Sequence, residues 1–96
     1  MGYLRVEHVN WSVDTQPKAL PFYGKVYFLH VHNVSSNTLY ISFDGGQTYK
    51  QIGAGSYIEL RGFMEKPIWL EKDTVKVKGS ASGTDFEMLI LFEREE

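Results

Sequence analysis

Wherever hydrophobic positions recur regularly in this chain, they recur with the period of a β-strand. Residues 3–13 alternate, with Tyr3, Arg5, Glu7, Val9, Trp11 and Val13 on one side and Leu4, Val6, His8, Asn10 and Ser12 on the other. Neither side is cleanly apolar, which suits an edge strand or a surface that meets another subunit. Residues 14–21, DTQPKALP, read as a loop, because two prolines remove backbone donors and restrict the residues before them. Residues 22–34, FYGKVYFLHVHNV, are the most apolar run and are rich in β-branched and aromatic types, which predicts a central strand. The alternation puts Val26, Phe28, His30, His32 and Val34 on one face and Tyr27, Leu29 and Val31 on the other. A strand apolar on both faces is expected to be buried on both, by a second layer or by a neighbouring chain. Gly24 predicts a bulge or bend near its start.

Ser35-Ser36-Asn37 has turn chemistry. Residues 38–43 then alternate, with Leu39, Ile41 and Phe43 inward and Thr38, Tyr40 and Ser42 outward. Asp44-Gly45-Gly46 predicts a hairpin, since positive φ costs glycine little. A strand returns over 48–52, Gly53-Ala54-Gly55 breaks it, and 56–60 form the next, with Tyr57 and Glu59 opposite Ile58 and Leu60. A short strand follows at 67–70, and residues 74–78 put Val75 and Val77 inward. Residues 79–83 form a flexible loop, 86–92 the last strand, and 93–96 a solvated tail. There is no amphipathic helical stretch of useful length. Seven to nine short strands separated by turn signals predict an all-β fold: a single antiparallel β-sandwich, jelly-roll-like, occupying residues 1–96 as one domain.

Composition narrows the function. The formal net charge is -2, which disfavours a nucleic-acid binder that neutralises phosphates with a basic face. The 96 residues contain no cysteine, so neither a disulfide framework nor a thiolate metal site is available to them. The opening residues MGYLRVEHVNWSV hold no long apolar run, so neither a signal peptide nor a membrane span is expected.

Candidate chemistry is sparse. His30 and His32 are two apart, on one side of a strand and roughly 7 Å from each other, and His8 on a neighbouring strand would be a third imidazole. No carboxylate accompanies them at a ligand-like spacing, so they are the only metal candidates and no metal or other cofactor is assigned. Glu59, Glu65, Glu71 and Asp73 are scattered and form no evident acid–base pair. Gly55-Ser56-Tyr57 lacks the second glycine of a nucleophile elbow, and no helix follows Gly53-Ala54-Gly55 to hold phosphate. No catalytic residue is assigned, and a non-enzymatic protein is expected. The aromatics Trp11, Tyr23, Tyr40, Tyr49, Tyr57 and Trp69 are numerous for the length. They suit stacking on sugar rings or anchoring a protein interface.

One stretch carries a resemblance. Ile41-Ser42-Phe43-Asp44-Gly45-Gly46-Gln47-Thr48-Tyr49, then Ile52, Gly55 and Ile58-Glu59-Leu60, resembles a run in small virion proteins of tailed phages. Ile68-Trp69-Leu70, residues 75–80 and residues 86–90 continue it over about the C-terminal two-thirds of the chain. The resemblance implies a capsid decoration (cement) protein, or a head or tail accessory subunit, located in the virion. It further implies self-association, as trimers or larger rings, and contact with major capsid or tail proteins, without nucleic acid or membrane as partners. Trp11, Tyr27, Phe28, Leu29, His30, Val31 and His32 are the expected contact residues, because their strands have faces too apolar for a lone domain. A carbohydrate- or receptor-binding module that uses exposed Tyr and Trp is the alternative.

Overall fold

The computed structural model describes residues 3–62 and 65–94. They form β-strands joined by loops: β1 (Tyr3–Val13), β2 (Lys18–Ala19), β3 (Gly24–Asn33), β4 (Leu39–Ser42), β5 (Lys50–Ile52), β6 (Tyr57–Arg61), β7 (Ile68–Leu70), β8 (Lys76–Gly79) and β9 (Thr84–Arg94). All pairings are antiparallel. Sheet A has the order β1-β9-β3-β6, with β7 sharing the β3 edge end to end with β6. Sheet B has the order β2-β8-β4-β5.

The winding is that of one long hairpin rolled up. β1 pairs with β9, β2 with β8, β3 with β6 and β7, and β4 with β5. Rolling then brings β9 against β3 and β8 against β4. This is the jelly-roll-like sandwich that the strand spacing predicts. One strand is longer than expected, since β9 starts at Thr84 and continues through Glu93 and Arg94. The loop expected at 14–21 contains the two-residue edge strand β2, kept short by Pro17 and Pro21.

Inward positions build the core by alternation. β9 contributes Phe86, Met88, Ile90 and Phe92, β3 contributes Val26, Leu29 and Val31, and sheet B contributes Leu39, Ile41, Ile52 and Val77. The β3 alternation breaks once. The β3–β9 register shifts between Val26 and Phe28, so Tyr27 is an extra, bulged residue. The bulge changes parity, and Val26 faces the core instead of sharing a side with Phe28 and His30. Tyr27 itself is buried, and its carbonyl accepts a hydrogen bond from the Gly62 N–H at 2.9 Å. At Gly62 a Cβ would lie 2.6 Å from the Val26 carbonyl oxygen, so only glycine passes this close to the bulge.

Asn33 ends β3 and is fully buried. Its Nδ2 donates to the carbonyls of Asn37 (2.7 Å) and Ile52 (2.9 Å). Its Oδ1 accepts from the N–H (3.0 Å) and hydroxyl (2.7 Å) of Ser35. The Asn33 backbone binds Ser56 and Gly55. A buried amide with both donors and both acceptor sites used is stabilising, whereas removal of one partner strands the others. This residue fastens the crossing of the chain from sheet A to sheet B.

The predicted hairpin at Asp44-Gly45-Gly46 is a wider loop over residues 43–49. Gly45 and Gly46 do have positive φ, 78° and 97°. The reversal is held by Asp44, whose Oδ1 accepts from the Ser42 hydroxyl (2.6 Å), the Thr48 N–H (2.9 Å) and the Gln47 N–H (3.1 Å), while Thr48 Oγ1 donates to Oδ2. Ser42, expected outward, is buried under this loop and also accepts from the Gly46 N–H. The Ser42 hydroxyl, followed by Thr48 and Gln47, holds the Asp44 carboxyl well below the usual carboxylate range.

Two predictions follow from these anchors. Asn33→Ala removes the amide donor from the Asn37 and Ile52 carbonyls and the acceptor from the Ser35 N–H and hydroxyl, and is expected to cost about 2–4 kcal/mol in urea melts; a loss below about 1 kcal/mol would contradict the role given to Asn33. For Asp44 the folded-state pKa is depressed, so its loop contribution is complete above the unfolded pKa near ~4 and declines as pH falls below it. Amide exchange at Gln47 and Thr48 should stay protected through pH ~4 and quicken only at stronger acid. NMR titration of Asp44 with an ordinary midpoint would refute this.

Candidate functional face and cleft

The outward residues of sheet A form rows across the strands, because directly opposed residues share a face. One row is Leu4, Glu93, Lys25 and Trp69, and the next is Val6, Leu91, Phe28 and Arg61. A third is His8, Leu89, His30 and Glu59, and a fourth is Asn10, Glu87, His32 and Tyr57. Leu4, Val6, Leu89, Leu91 and Phe28 thus make a continuous apolar band across β1, β9 and β3. Val6 is 67% exposed and Leu4 58%, while Trp69 (61%) and Tyr57 (60%) stand at the opposite edge. Single exposed apolar residues are ordinary, but a joined band is not.

The histidines lie beside this band. The His30 and His32 rings are 6.3 Å apart, and His30 stacks on Tyr57 at 4.9 Å. His30 Nδ1 meets Glu59 Oε1 at 3.0 Å, and His32 Nε2 donates to the Gly55 carbonyl at 3.2 Å. The His30 bond first, and Arg61 second, lower the Glu59 carboxyl below its usual range. His8 does not join them. Leu89 on β9 separates His8 from His30 in the row, so the two are about two strand spacings, roughly 9–10 Å, apart. That corrects the three-histidine metal set, since one ion spans about half that distance between imidazoles. Among the described residues, no three His, Cys, Asp or Glu side chains are placed to hold a metal ion.

Three of the expected contact residues are also corrected. Leu29 and Val31 are core residues packed against sheet B, and Tyr27 is the buried bulge. The second layer covers one side of β3, so only the side with Phe28, His30 and His32 is left half-exposed. Trp11 is half-buried at the corner of the sandwich. Its ring stacks on Phe22 at 6.0 Å, meets Phe86 edge-on at 6.2 Å and carries the Lys18 ammonium 4.9 Å from its centroid.

Sheet B presents a different surface. Gln51, Tyr40 and Lys78 are neighbours in one row. With Thr15, Tyr49 and Gly79 they line an open cleft of about 460 Å³. The Lys78 ammonium lies 4.3 Å from the Tyr49 ring centroid and 5.7 Å from that of Tyr40. The aromatic count pointed to Tyr40 and Tyr49; Lys78 and Gln51 carried no signal, because only the strand register brings them alongside.

No family model matches the chain, and no curated protein matches it. In fold it is similar to a chain from a solved structure described as "Bacillus endospore appendages form a novel family of disulfide-linked pili". The TM-score is 0.54 and the identity 16%, over 99% of this chain and 92% of that one. At that identity the likeness is one of fold. It covers both sheets, in agreement with the sandwich described above.

Proposed function

We propose that this chain is a non-enzymatic structural subunit that assembles with copies of itself through the outer face of sheet A. The observation that carries the reading is the apolar band Leu4, Val6, Leu89, Leu91 and Phe28, which no element among the described residues covers. The outer face of sheet A as a whole, in which this band lies, suits a second copy in size. Four strands at ~4.8 Å and about eleven residues at ~3.4 Å give a face of roughly 700 Å² per copy. A standard protein interface takes about 800 Å² per partner. The band is flanked by residues of both signs, Lys25 and Arg61 beside Glu93 and Glu59, and by Trp69 and Tyr57, a type of residue favoured at interface centres.

The setting is a repeated surface assembly. The fold neighbour comes from a structure of endospore appendages described as disulfide-linked pili, and the Ile41–Tyr49 run resembles virion proteins of tailed phages. We favour the virion setting, a capsid decoration or head or tail accessory subunit. In it, contact with major capsid or tail proteins and with like copies would stabilise the particle by multivalency. The linkage would be non-covalent, since these residues offer no cysteine for a disulfide between copies.

Sedimentation velocity tests the reading. The chain, 11.0 kDa as a monomer, is expected to sediment as a discrete oligomer at tens of micromolar. Val6→Asp with Leu89→Asp should weaken association by at least about 30-fold, the effect of losing interface hot spots, and leave the melting temperature unchanged, because neither side chain is in the core. A wild-type chain that stays monomeric at these concentrations, or a charged variant that associates as before, would overturn it.

A further inference from the structure

We infer that the cleft on sheet B binds a carboxylated saccharide. The face opposite the apolar band is chemically distinct. Its outward residues on β8 are Lys76 and Lys78, whereas Asp85, Glu87 and Glu93 are outward on β9 of sheet A. A chain of net charge -2 thus carries lysines on this face, and one of them, Lys78, lines the cleft. Among the described residues, no carboxylate lies within salt-bridge distance of the Lys78 ammonium. The ammonium is instead held between the rings of Tyr49 and Tyr40. A cation placed against aromatic faces gives up little side-chain freedom when an anion arrives.

The rest of the lining fits a sugar better than a bare anion. Tyrosine rings offer flat apolar faces for the C–H side of a pyranose. The Gln51 amide and the Thr15 hydroxyl, both exposed at the rim, supply donors and acceptors for ring hydroxyls. The volume is in the range of small-ligand sites and fits one to two sugar rings. Gly79 lines part of the cleft, and a Cβ there would clash with the buried Thr84 side chain, so the backbone packs closely against the core at this point. Among the described residues, Asp14, the acidic residue of the β1–β2 loop, accepts the Gln16 N–H at 2.8 Å and forms no salt bridge with Lys78. Pairing is thus left to Lys78 and the ligand carboxylate, with sugar hydroxyls bonded at the rim. The inference is independent of the self-association face, which lies on the other side of the sandwich.

The test is an NMR titration of the chain with trigalacturonate, maltotriose and citrate. Trigalacturonate is expected to shift the amides of Tyr40, Tyr49, Gln51 and Lys78. Maltotriose should bind at least ~10-fold more weakly for want of the carboxylate, and citrate at least ~10-fold more weakly for want of the ring. Lys78→Met, which keeps the stem and removes the charge, should reduce trigalacturonate affinity about 10-fold and leave maltotriose unchanged. Tyr49→Ala should reduce both. Thermal melts check that each variant is folded, and Lys76→Met serves as a control expected to bind as wild type. Equal binding of citrate would show an anion site only and overturn the inference. So would equal binding of maltotriose, shifts that map elsewhere, or no shift at ~10 mM trigalacturonate.

Discussion

The Asn33 side chain makes four hydrogen bonds where the chain leaves one sheet for the other, and the geometry of both faces depends on that crossing. Its amide grips the Asn37 and Ile52 carbonyls, so the start of β4 and the end of β5 are tied to the end of β3. Its backbone holds Ser56 and Gly55, which lead into β6. A buried polar side chain is tolerated only when every group is paired, and once paired it discriminates between registers. A slip of one residue would put Leu29 and Val31 into solvent and bring Phe28, His30 and His32 into the core. The apolar band of sheet A and the tyrosine cleft of sheet B are both consequences of that register.

Much of the fold is legible in the sequence because strand alternation is a local signal. Leu39 and Ile41, Val75 and Val77, and Phe86 to Phe92 announce their inward positions without knowledge of partners. The exceptions arise where a distant contact decides. The bulge at Tyr27 reverses the parity of Val26, and it exists because β9 runs past it out of step. Ser42 obeys alternation but is covered by a loop that Asp44 folds over it. Asn33 falls on the inward side of its strand, in step with Leu29 and Val31. That placement was the available sign that its amide is structural and not part of a surface turn.

The site was less legible, for a related reason. Sequence identifies which residues share a side of one strand, but not which strands are adjacent. Leu4 and Val6 share a side with His8, Asn10 and Ser12 and show no apolar face until β9 sets Leu91 and Leu89 beside them. His8 looks like a partner for His30 until β9 is found between them. Contact residues proposed from apolarity alone included Leu29 and Val31, whose apolarity serves the core. The outward residues Phe28, His30 and His32 are what remains for recognition. The two faces then divide the chemistry: one apolar and bordered by charges of both signs, the other polar, with Lys78 beside two tyrosine rings.

Self-association through sheet A is the central claim, and the composition offers a direct probe. With no cysteine in the 96 residues, a single introduced thiol reports contact without interference. Val6→Cys places it on the apolar band, and Gln51→Cys places it on sheet B. Under mild oxidation at the same protein concentration, the account predicts rapid disulfide-linked dimer for Val6→Cys and little for Gln51→Cys. Equal crosslinking of the two, or preferential crosslinking at Gln51→Cys, would contradict it.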